Sequence, residues 1–136
     1  MSEYIPWAHR KDSDLADMVG LTMASVTGKV GGDEIEFVTT EGRRFLMYHS
    51  QDCCETVSVE DIVGDLQDLV GSPILRAEES VSDKAPDGHD FGGYEPESQT
   101  WTFYKLATIK GYVDIRWFGN SNGYYSESVD FIEVTS

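Results

Sequence analysis

The sequence predicts an α+β fold in which a single antiparallel β-sheet of about six or seven strands carries one principal helix on one face. Short segments of alternating polar and apolar residues recur along the chain, and turns rich in glycine or asparagine separate them. One stretch, residues 60–70, instead has a helical apolar period. The length of 136 residues suits a single domain of ordinary size.

The elements follow in an order that supports this architecture. Ser13 is a good N-cap for a short helix over residues 14–19, which Gly20 closes. The first three strand patterns after it predict an antiparallel meander. Residues 56–59 are a short β-branched run, and the strand-like segments are 21–30, 34–40, 43–50, 74–81, 101–109, 111–118 and 124–134. The last two flank a turn rich in glycine and asparagine, so we predict that they form a closing hairpin.

The helical pattern of residues 60–70 has one apolar stripe and a set of acids beside it. The stripe consists of Ile62, Val63, Leu66, Leu69 and Val70. The acids Asp61, Asp65 and Asp68 would share another face. Such a face could bind a divalent cation, but a solvated surface is the more ordinary role of acids in this pattern.

The domain organisation is simple. We expect a loose N-terminal arm at residues 1–12 and a single domain over residues 13–136. Residues 82–98 are rich in Gly, Pro, Asp, Glu and Ser, which is typical of a flexible acidic loop. No apolar run approaches the length of a membrane span, and the N-terminal residues lack the apolar segment of a signal peptide. We therefore expect a cytoplasmic protein that does not bind membranes.

The net charge of −15 is distributed unevenly. Residues 51–98 contain thirteen acidic and two basic residues, whereas residues 99–136 are nearly neutral. We expect no direct binding to nucleic acid, because such binding needs a basic surface that neutralises phosphates. An acidic surface ordinarily keeps a protein soluble, and more rarely it mimics DNA in the basic site of a partner.

The two cysteines, Cys53 and Cys54, are neighbours. A disulfide between adjacent residues is strained, so we expect two thiols. With His49, Asp52 and Glu55 they could suggest a zinc site, but adjacent side chains in an extended segment point to opposite sides. We therefore expect neither a metal nor a cofactor. A cysteine nucleophile with His49 as its base is a further alternative, although no group that would stabilise an oxyanion accompanies it.

Several short motifs resemble an uncharacterised family of small proteins common in bacteriophage genomes. The motifs are QDCCE (51–55), ED with GDL (60–66), LVGSPI (69–74), TWTFY (100–104), IRW (115–117) and SNGYYSE (121–127). The resemblance covers roughly residues 20–134 and brings no catalytic residues. It implies a phage origin and an accessory, non-virion role. Small phage proteins of this kind often bind host proteins or sequester host immune signals.

The densest group of recognition-type side chains surrounds the turn at residues 119–123. An arginine with nearby lysines could neutralise a phosphate, aromatic rings could stack on a base, and asparagines could contact its polar edges. The predicted ligand-binding residues are Arg116, Trp117, Asn120, Asn122, Tyr124, Tyr125, Ser126, Lys105 and Lys110. An ordinary hairpin would explain the Asn-Gly turn, but it does not require an arginine and two tyrosines beside it.

These observations predict a non-enzymatic phage accessory protein of the anti-defence type. We expect it to bind and sequester a small nucleotide-like host immune signal, with the pocket formed in a homo-oligomer. Two alternatives remain open. One is an acidic inhibitor or DNA mimic that binds a host defence protein. The other is a small hydrolase that uses Cys53 or Cys54, or a metal on the acidic helix.

Overall fold

The computed structural model describes residues 9–51, 54–83, 98–123 and 126–135. These residues form nine β-strands and two short 3-10 helices, Leu15–Met18 and Leu66–Leu69. The strands are β1 (Arg10–Asp12), β2 (Met23–Thr27), β3 (Glu34–Thr39), β4 (Arg44–Tyr48), β5 (Thr56–Val63), β6 (Arg76–Ser82), β7 (Ser98–Thr108), β8 (Gly111–Ser121) and β9 (Asp130–Val134). They make a five-stranded sheet in the order β1-β9-β4-β3-β2 and a four-stranded sheet in the order β5-β8-β7-β6. Every pairing within the two sheets is antiparallel.

The two sheets pack face to face around one apolar core and form a β-sandwich. Alternation explains this packing, because every second residue of β3 and β8 is buried. The indole Nε1 of Trp117 in β8 donates to Met47 Sδ of β4 at 3.2 Å, so one contact spans both sheets. The rings of Phe45 and Phe131, on neighbouring strands, stack with centroids 5.6 Å apart.

Turns and short helices join the edges of the two sheets. The first 3-10 helix buries Leu15 and Met18 in the common core, and the second buries Leu69. The turn between β2 and β3 also pairs with β5, since Gly31 N donates to Val59 O at 2.8 Å and Val59 N donates to Gly32 O at 2.9 Å. These bonds join the β2 edge of the five-stranded sheet to the β5 edge of the four-stranded sheet.

The predicted fold class, a single sheet with a principal helix, is wrong, because the chain is nearly all β and has two sheets. The predicted closing hairpin is wrong as well. Strand β8 pairs with β5 and β7, whereas β9 crosses to the other sheet and pairs with β1 and β4. Alternation identifies a strand, but it does not say which sheet the strand joins.

The predicted helix over residues 60–70 is divided between the end of β5, a turn and the second 3-10 helix. The register of β5 shifts at Glu60, and this bulge changes the strand's alternation so that it imitates a helical period. Gly64 then turns the chain with φ +99°, where a Cβ would lie 2.4 Å from Tyr112 O. The apolar stripe was still informative for burial, because Leu69 is fully buried, although Val63 is 60% exposed.

The predicted meander is confirmed by the order of β2, β3 and β4. Within the predicted N-terminal arm, Arg10–Asp12 form β1 and pair with β9. Most of the predicted acidic loop at 82–98 lies outside the described residues. In the ranges that the structure describes, no helix is long and apolar enough to cross a membrane.

Candidate functional site

Polar side chains, among them the buried Glu55 and Glu127, gather at the end of the sandwich where β4 and β8 end and β5 and β7 begin. The connection from β8 to β9 also passes through this end. We refer to six residues there as the end cluster: His49, Gln51, Glu55, Thr100, Ser121 and Glu127. Polar groups are buried at a cost unless they are hydrogen-bonded, so the partners of these side chains indicate what the cluster does.

His49 and Glu55 form the most deeply buried ionisable pair of the end cluster. His49 Nε2 lies 2.6 Å from Glu55 Oε2, and the two side chains are 4% and 0% exposed. His49 Nδ1 lies 2.6 Å from the carbonyl oxygen of Ser128, which can only accept, so Nδ1 must carry a proton. Gln51 Nε2 donates to the backbone oxygen of Glu55 at 2.6 Å and approaches its carboxylate at 3.3 Å. Both imidazole nitrogens are therefore engaged, which suits a clamp between segments better than a base that faces a substrate.

Glu127 is the second buried carboxylate of the end cluster, with 7% of its surface exposed. It accepts from Thr100 Oγ1 at 2.8 Å and from Ser121 Oγ at 2.5 Å. Ser121 Oγ in turn accepts from Gly123 N at 3.0 Å. A Cβ on Gly119 would lie 2.9 Å from both Glu127 Cβ and Glu127 O, so only glycine allows this approach. These contacts hold the end of β8 against the segment that leads to β9.

A cavity of about 280 Å³ adjoins the end cluster, between the inner face of β6 and β7 and the segment 126–129. Its lining residues are Glu79, Val81, Thr100, Thr102, Ser126, Glu127, Ser128 and Val129. The lining therefore combines two carboxylates with four hydroxyls. Carboxylates only accept hydrogen bonds and hydroxyls can accept them, so this cavity favours a ligand that donates hydrogen bonds.

The fully buried Tyr104 lies beside this cavity, since it pairs with Glu79 across β6 and β7 on the same face. Burial, and after it the negative charge of Glu79, raises the pKa of its hydroxyl far above the ordinary value. A side-chain interaction with the Glu79 carboxylate contributes to the same shift. This contact does not have the geometry of an aligned hydrogen bond. Tyr104 is not one of the residues that line the cavity, so Glu79 is the group of the lining that its hydroxyl meets.

Arg116 and Trp117, both predicted ligand contacts, face opposite sides of β8, as alternation requires. Trp117 is fully buried in the core between the sheets, so its ring cannot stack on a ligand. Arg116 Nε lies 2.7 Å from Glu60 Oε1 on the outer face of the four-stranded sheet. Its geometry is that of a charge contact rather than an aligned hydrogen bond.

The structure does not bring the predicted lysines to the predicted loop. Lys110 lies in the turn between β7 and β8, and its Nζ donates to Val70 O at 2.5 Å. The eleven residues of β8 separate this turn from Ser121, which corresponds to roughly 30 Å of strand. Lys105 is exposed opposite Asp114, in the middle of the same pair of strands. The register therefore places Lys105 on the same face of the sheet as Arg116, two positions along the neighbouring strand, whereas Lys110 lies in the distant turn.

Of the remaining predicted residues, the structure describes Asn120, Asn122 and Ser126. Asn120 is half-buried at the end of β8, and Asn122 is exposed. Ser126 lines the cavity, and its Oγ forms a 2.8 Å hydrogen bond with Ser128 Oγ. Tyr124 and Tyr125 lie outside the described residues. The loop is therefore placed where a ligand could reach it, but its aromatic contribution stays a prediction.

Sequence reasoning missed the two buried carboxylates and the pairing of His49 with Glu55. A signal was present, because Glu55, Thr100, Ser121 and Glu127 all belong to the short motifs that carried the phage resemblance. Their convergence could not be foreseen, since Thr100 and Glu127 are 27 residues apart and His49 and Ser128 are 79 apart. Glu79 gave no signal, because it is one of many acids in the middle of the chain.

The predicted acidic helix face does not exist. Asp61 lies in β5 opposite Arg116, Asp65 caps the second 3-10 helix by accepting from Gln67 N at 2.9 Å, and Asp68 lies within that helix. Across the described ranges, no group of three or more His, Cys, Asp or Glu residues could hold a metal ion. The three acids are therefore local features of a strand, a cap and a turn.

The expectation of two thiols is wrong for Cys54, which is disulfide-bonded. Cys53 lies outside the described residues. A sulfur atom in a disulfide is not a thiolate, so Cys54 in this state is neither a nucleophile nor a metal ligand.

Comparison with known proteins identifies a family but no characterised relative. No curated protein and no solved structure matches the chain. The sequence model of one family, Domain of unknown function (DUF7448), matches residues 16–131. This match covers most of the β-sandwich, including the end cluster, and the chain therefore belongs to the DUF7448 family.

Proposed function

We propose that the chain is a non-catalytic accessory protein of a bacteriophage, and that it acts by binding a basic host protein, such as a defence enzyme. The phage origin is inferred from the resemblance of the short motifs. The mode of action is inferred from charge. The proposal develops one of the two alternatives that the sequence left open, because the geometry supports it better than the sequestration of a phosphate-containing signal.

The proposal rests on the observation that arginines of this chain already form ion pairs with its own carboxylates. In the described part of the chain, carboxylates pair with Arg43, Arg44, Arg76 and Arg116 at distances of 2.5–2.9 Å. The chain has 25 acidic and 10 basic residues, so these pairs leave a large excess of acids. Such a surface attracts basic partners and accelerates their association.

The end cluster supports a binding role rather than a catalytic one. Its histidine has hydrogen-bond acceptors at both nitrogens, and its two carboxylates are occupied by neighbouring side chains. Buried polar networks of this kind fix the positions of loops, and precisely held loops make effective binding surfaces. A binding protein with a rigid end is the function that these contacts favour.

The test is capture on the immobilised full-length chain from a bacterial lysate, followed by measurement of binary affinity with the purified partner. We expect a basic partner whose affinity falls roughly tenfold between 50 and 300 mM NaCl, because salt screens interactions between charged surfaces. Replacing exposed acids (Asp83→Asn with Asp114→Asn) should weaken binding, whereas Lys105→Gln, which removes a positive charge, should not. A partner that is acidic, or whose affinity does not depend on salt, would contradict the proposal.

Sequestration of a small nucleotide-like ligand is the second candidate function. The hydroxyl-rich cavity favours it, because its hydroxyls could bind a ribose. A thermal-shift screen against cyclic dinucleotides, cyclic trinucleotides and ADP-ribose derivatives tests it, with mass spectrometry of the recovered ligand. An intact ligand that raises the melting temperature would favour sequestration. A cleaved ligand would indicate an enzyme, and no shift would remove this candidate.

A further inference from the structure

The cavity beside the end cluster has a lining in which acceptors outnumber donors. Glu79 and Glu127 contribute carboxylates, which cannot donate. The Thr100 hydroxyl already donates to Glu127, so it presents its lone pairs to other groups. None of the described residues that line the cavity is a lysine or an arginine. A ligand that fills it should carry several donors and a positive charge.

The surroundings of Glu79 are also negative. Tyr104, opposite Glu79 in β7, is fully buried and meets its carboxylate. The negative charges of Glu79 and of Asp130, on the opposite sheet, both raise the pKa of the Tyr104 hydroxyl, after burial itself. A positively charged donor beside Glu79 would offset this excess of negative charge.

The size of the cavity restricts the ligand. Its volume of about 280 Å³ lies at the lower limit for small-molecule pockets. It suits one side chain or one sugar rather than a complete dinucleotide. Val81 and Val129 add apolar surface, against which the methylene groups of a long side chain could pack.

We propose that this cavity receives the guanidinium group of one arginine side chain from the partner protein. The proposal rests on the proposed function and identifies the contact by which a basic partner is recognised. Arginine fits better than lysine, because its planar group offers five donors to acceptors placed on several walls. The carboxylate of Glu79 supplies the opposite charge at the accessible side, whereas both oxygens of Glu127 already accept from Thr100 and Ser121.

The first experiment measures binding of a single side chain. The probe is Nα-acetyl-arginine methylamide, and its matched control is the citrulline analogue, which has nearly the same shape without the charge. We expect the arginine probe to shift the amide NMR signals of Thr100, Thr102 and Ser128 at millimolar concentration, and the citrulline analogue to leave them unchanged. Equal shifts with both probes, or none with either, would overturn the proposal.

Adjacent glutamates on β6 provide a matched pair of variants. Glu79 faces the cavity, whereas Glu78 points to the outer face and pairs with Arg76 at 2.8 Å. Glu79→Gln should weaken probe binding at least about tenfold, since a charge-assisted hydrogen bond is lost. Glu78→Gln removes the same charge one residue away and should leave probe binding unchanged. Equal effects of the two variants would reduce the result to general electrostatics and overturn the assigned site.

The same variants separate this inference from the proposed function. If Glu79→Gln lowers affinity for the captured partner and Glu78→Gln does not, the cavity is the point of recognition. If the chain binds a basic partner with equal affinity in both variants, the cavity proposal fails and the proposed function stands. If no basic partner is captured while the arginine probe binds the cavity, the proposed function fails and the site remains.

Discussion

The buried pair of His49 and Glu55 gives the sharpest test of how the end cluster stabilises the fold. The perturbation is a double-mutant cycle that consists of His49→Ala, Glu55→Ala and both together. Either single change leaves its partner buried, with a charge or a polar group that has lost its main contact. Removing both avoids that penalty, so the two effects should be far from additive.

The expected loss of stability follows from the burial of the two side chains and the distance between them. With side chains 4% and 0% exposed and 2.6 Å between Nε2 and Oε2, the pair belongs to the buried class, in which loss of one partner costs about 3–5 kcal/mol. A domain of this size is stable by about 5–15 kcal/mol in total. Each single variant should therefore lower the melting temperature by roughly 10–20 °C. The coupling free energy should be at least about 2 kcal/mol.

The assay is equilibrium unfolding in urea, followed by tryptophan fluorescence without reductant. Trp101 and Trp117 are both fully buried, so unfolding will change their emission strongly. The partly exposed pair Arg44 and Glu36 serves as the control, with an expected coupling of about 0.2–1 kcal/mol. If the effects of the His49 and Glu55 variants add within about 0.5 kcal/mol, the pair is not a coupled clamp and the reasoning fails.

Three further predictions concern other parts of the fold. Gly64→Ala should destabilise the fold by at least about 1 kcal/mol more than Gly20→Ala. Both glycines have positive φ, but only a Cβ at Gly64 would also clash with a neighbour, Tyr112 O. Equal losses of unfolding free energy in urea would contradict this prediction. Tyr104→Phe should not destabilise the fold at pH 7, since it removes a hydroxyl that has no aligned hydrogen bond. Because the pKa of Tyr104 is raised, the wild type should lose stability relative to this variant above pH 10, by about 1.4 kcal/mol per pH unit. Parallel curves of unfolding free energy against pH for the two proteins would contradict this prediction. The hydrogen bond from Arg43 lowers the pKa of Glu133. The pair therefore stabilises the fold above the ordinary carboxyl pKa, and this contribution is lost as the pH falls through the pKa of the folded state. Arg43→Gln should make the loss of stability with falling pH slightly less steep, and an unchanged pH dependence at acid pH would argue against the pair.

The local sequence pattern was sufficient to predict most strands, but not how the strands pair into two sheets. The meander of β2, β3 and β4 could be predicted, because alternation and tight turns specify neighbours that are close in sequence. The separation into two sheets depends on long-range pairing, such as β1 with β9, for which a single sequence carries no local signal. The error at residues 60–70 came from a β-bulge that imitated a helical period.

The candidate site shows the same division between local and distant information. Composition singled out the loop, because a turn of this kind does not require all of the polar residues Asn120, Asn122 and Ser126. Its supporting contacts could not, because each joins segments that are distant in sequence. The carboxylate beside Arg116 could not be predicted either, since the bulge in β5 places Glu60 next to it.

The partner of Arg116 decides between the two main functions more than any other contact. An arginine that already has a carboxylate at 2.7 Å would have to exchange that contact for a phosphate, and the gain would be only the difference between two similar interactions. Glu79 is exposed at the edge strand β6, and its contact with Tyr104 is to a neutral hydroxyl rather than to an arginine. With a net charge of −15, long-range attraction also favours the cation. The electrostatics of this chain therefore favour a basic protein as its ligand over an anionic small molecule.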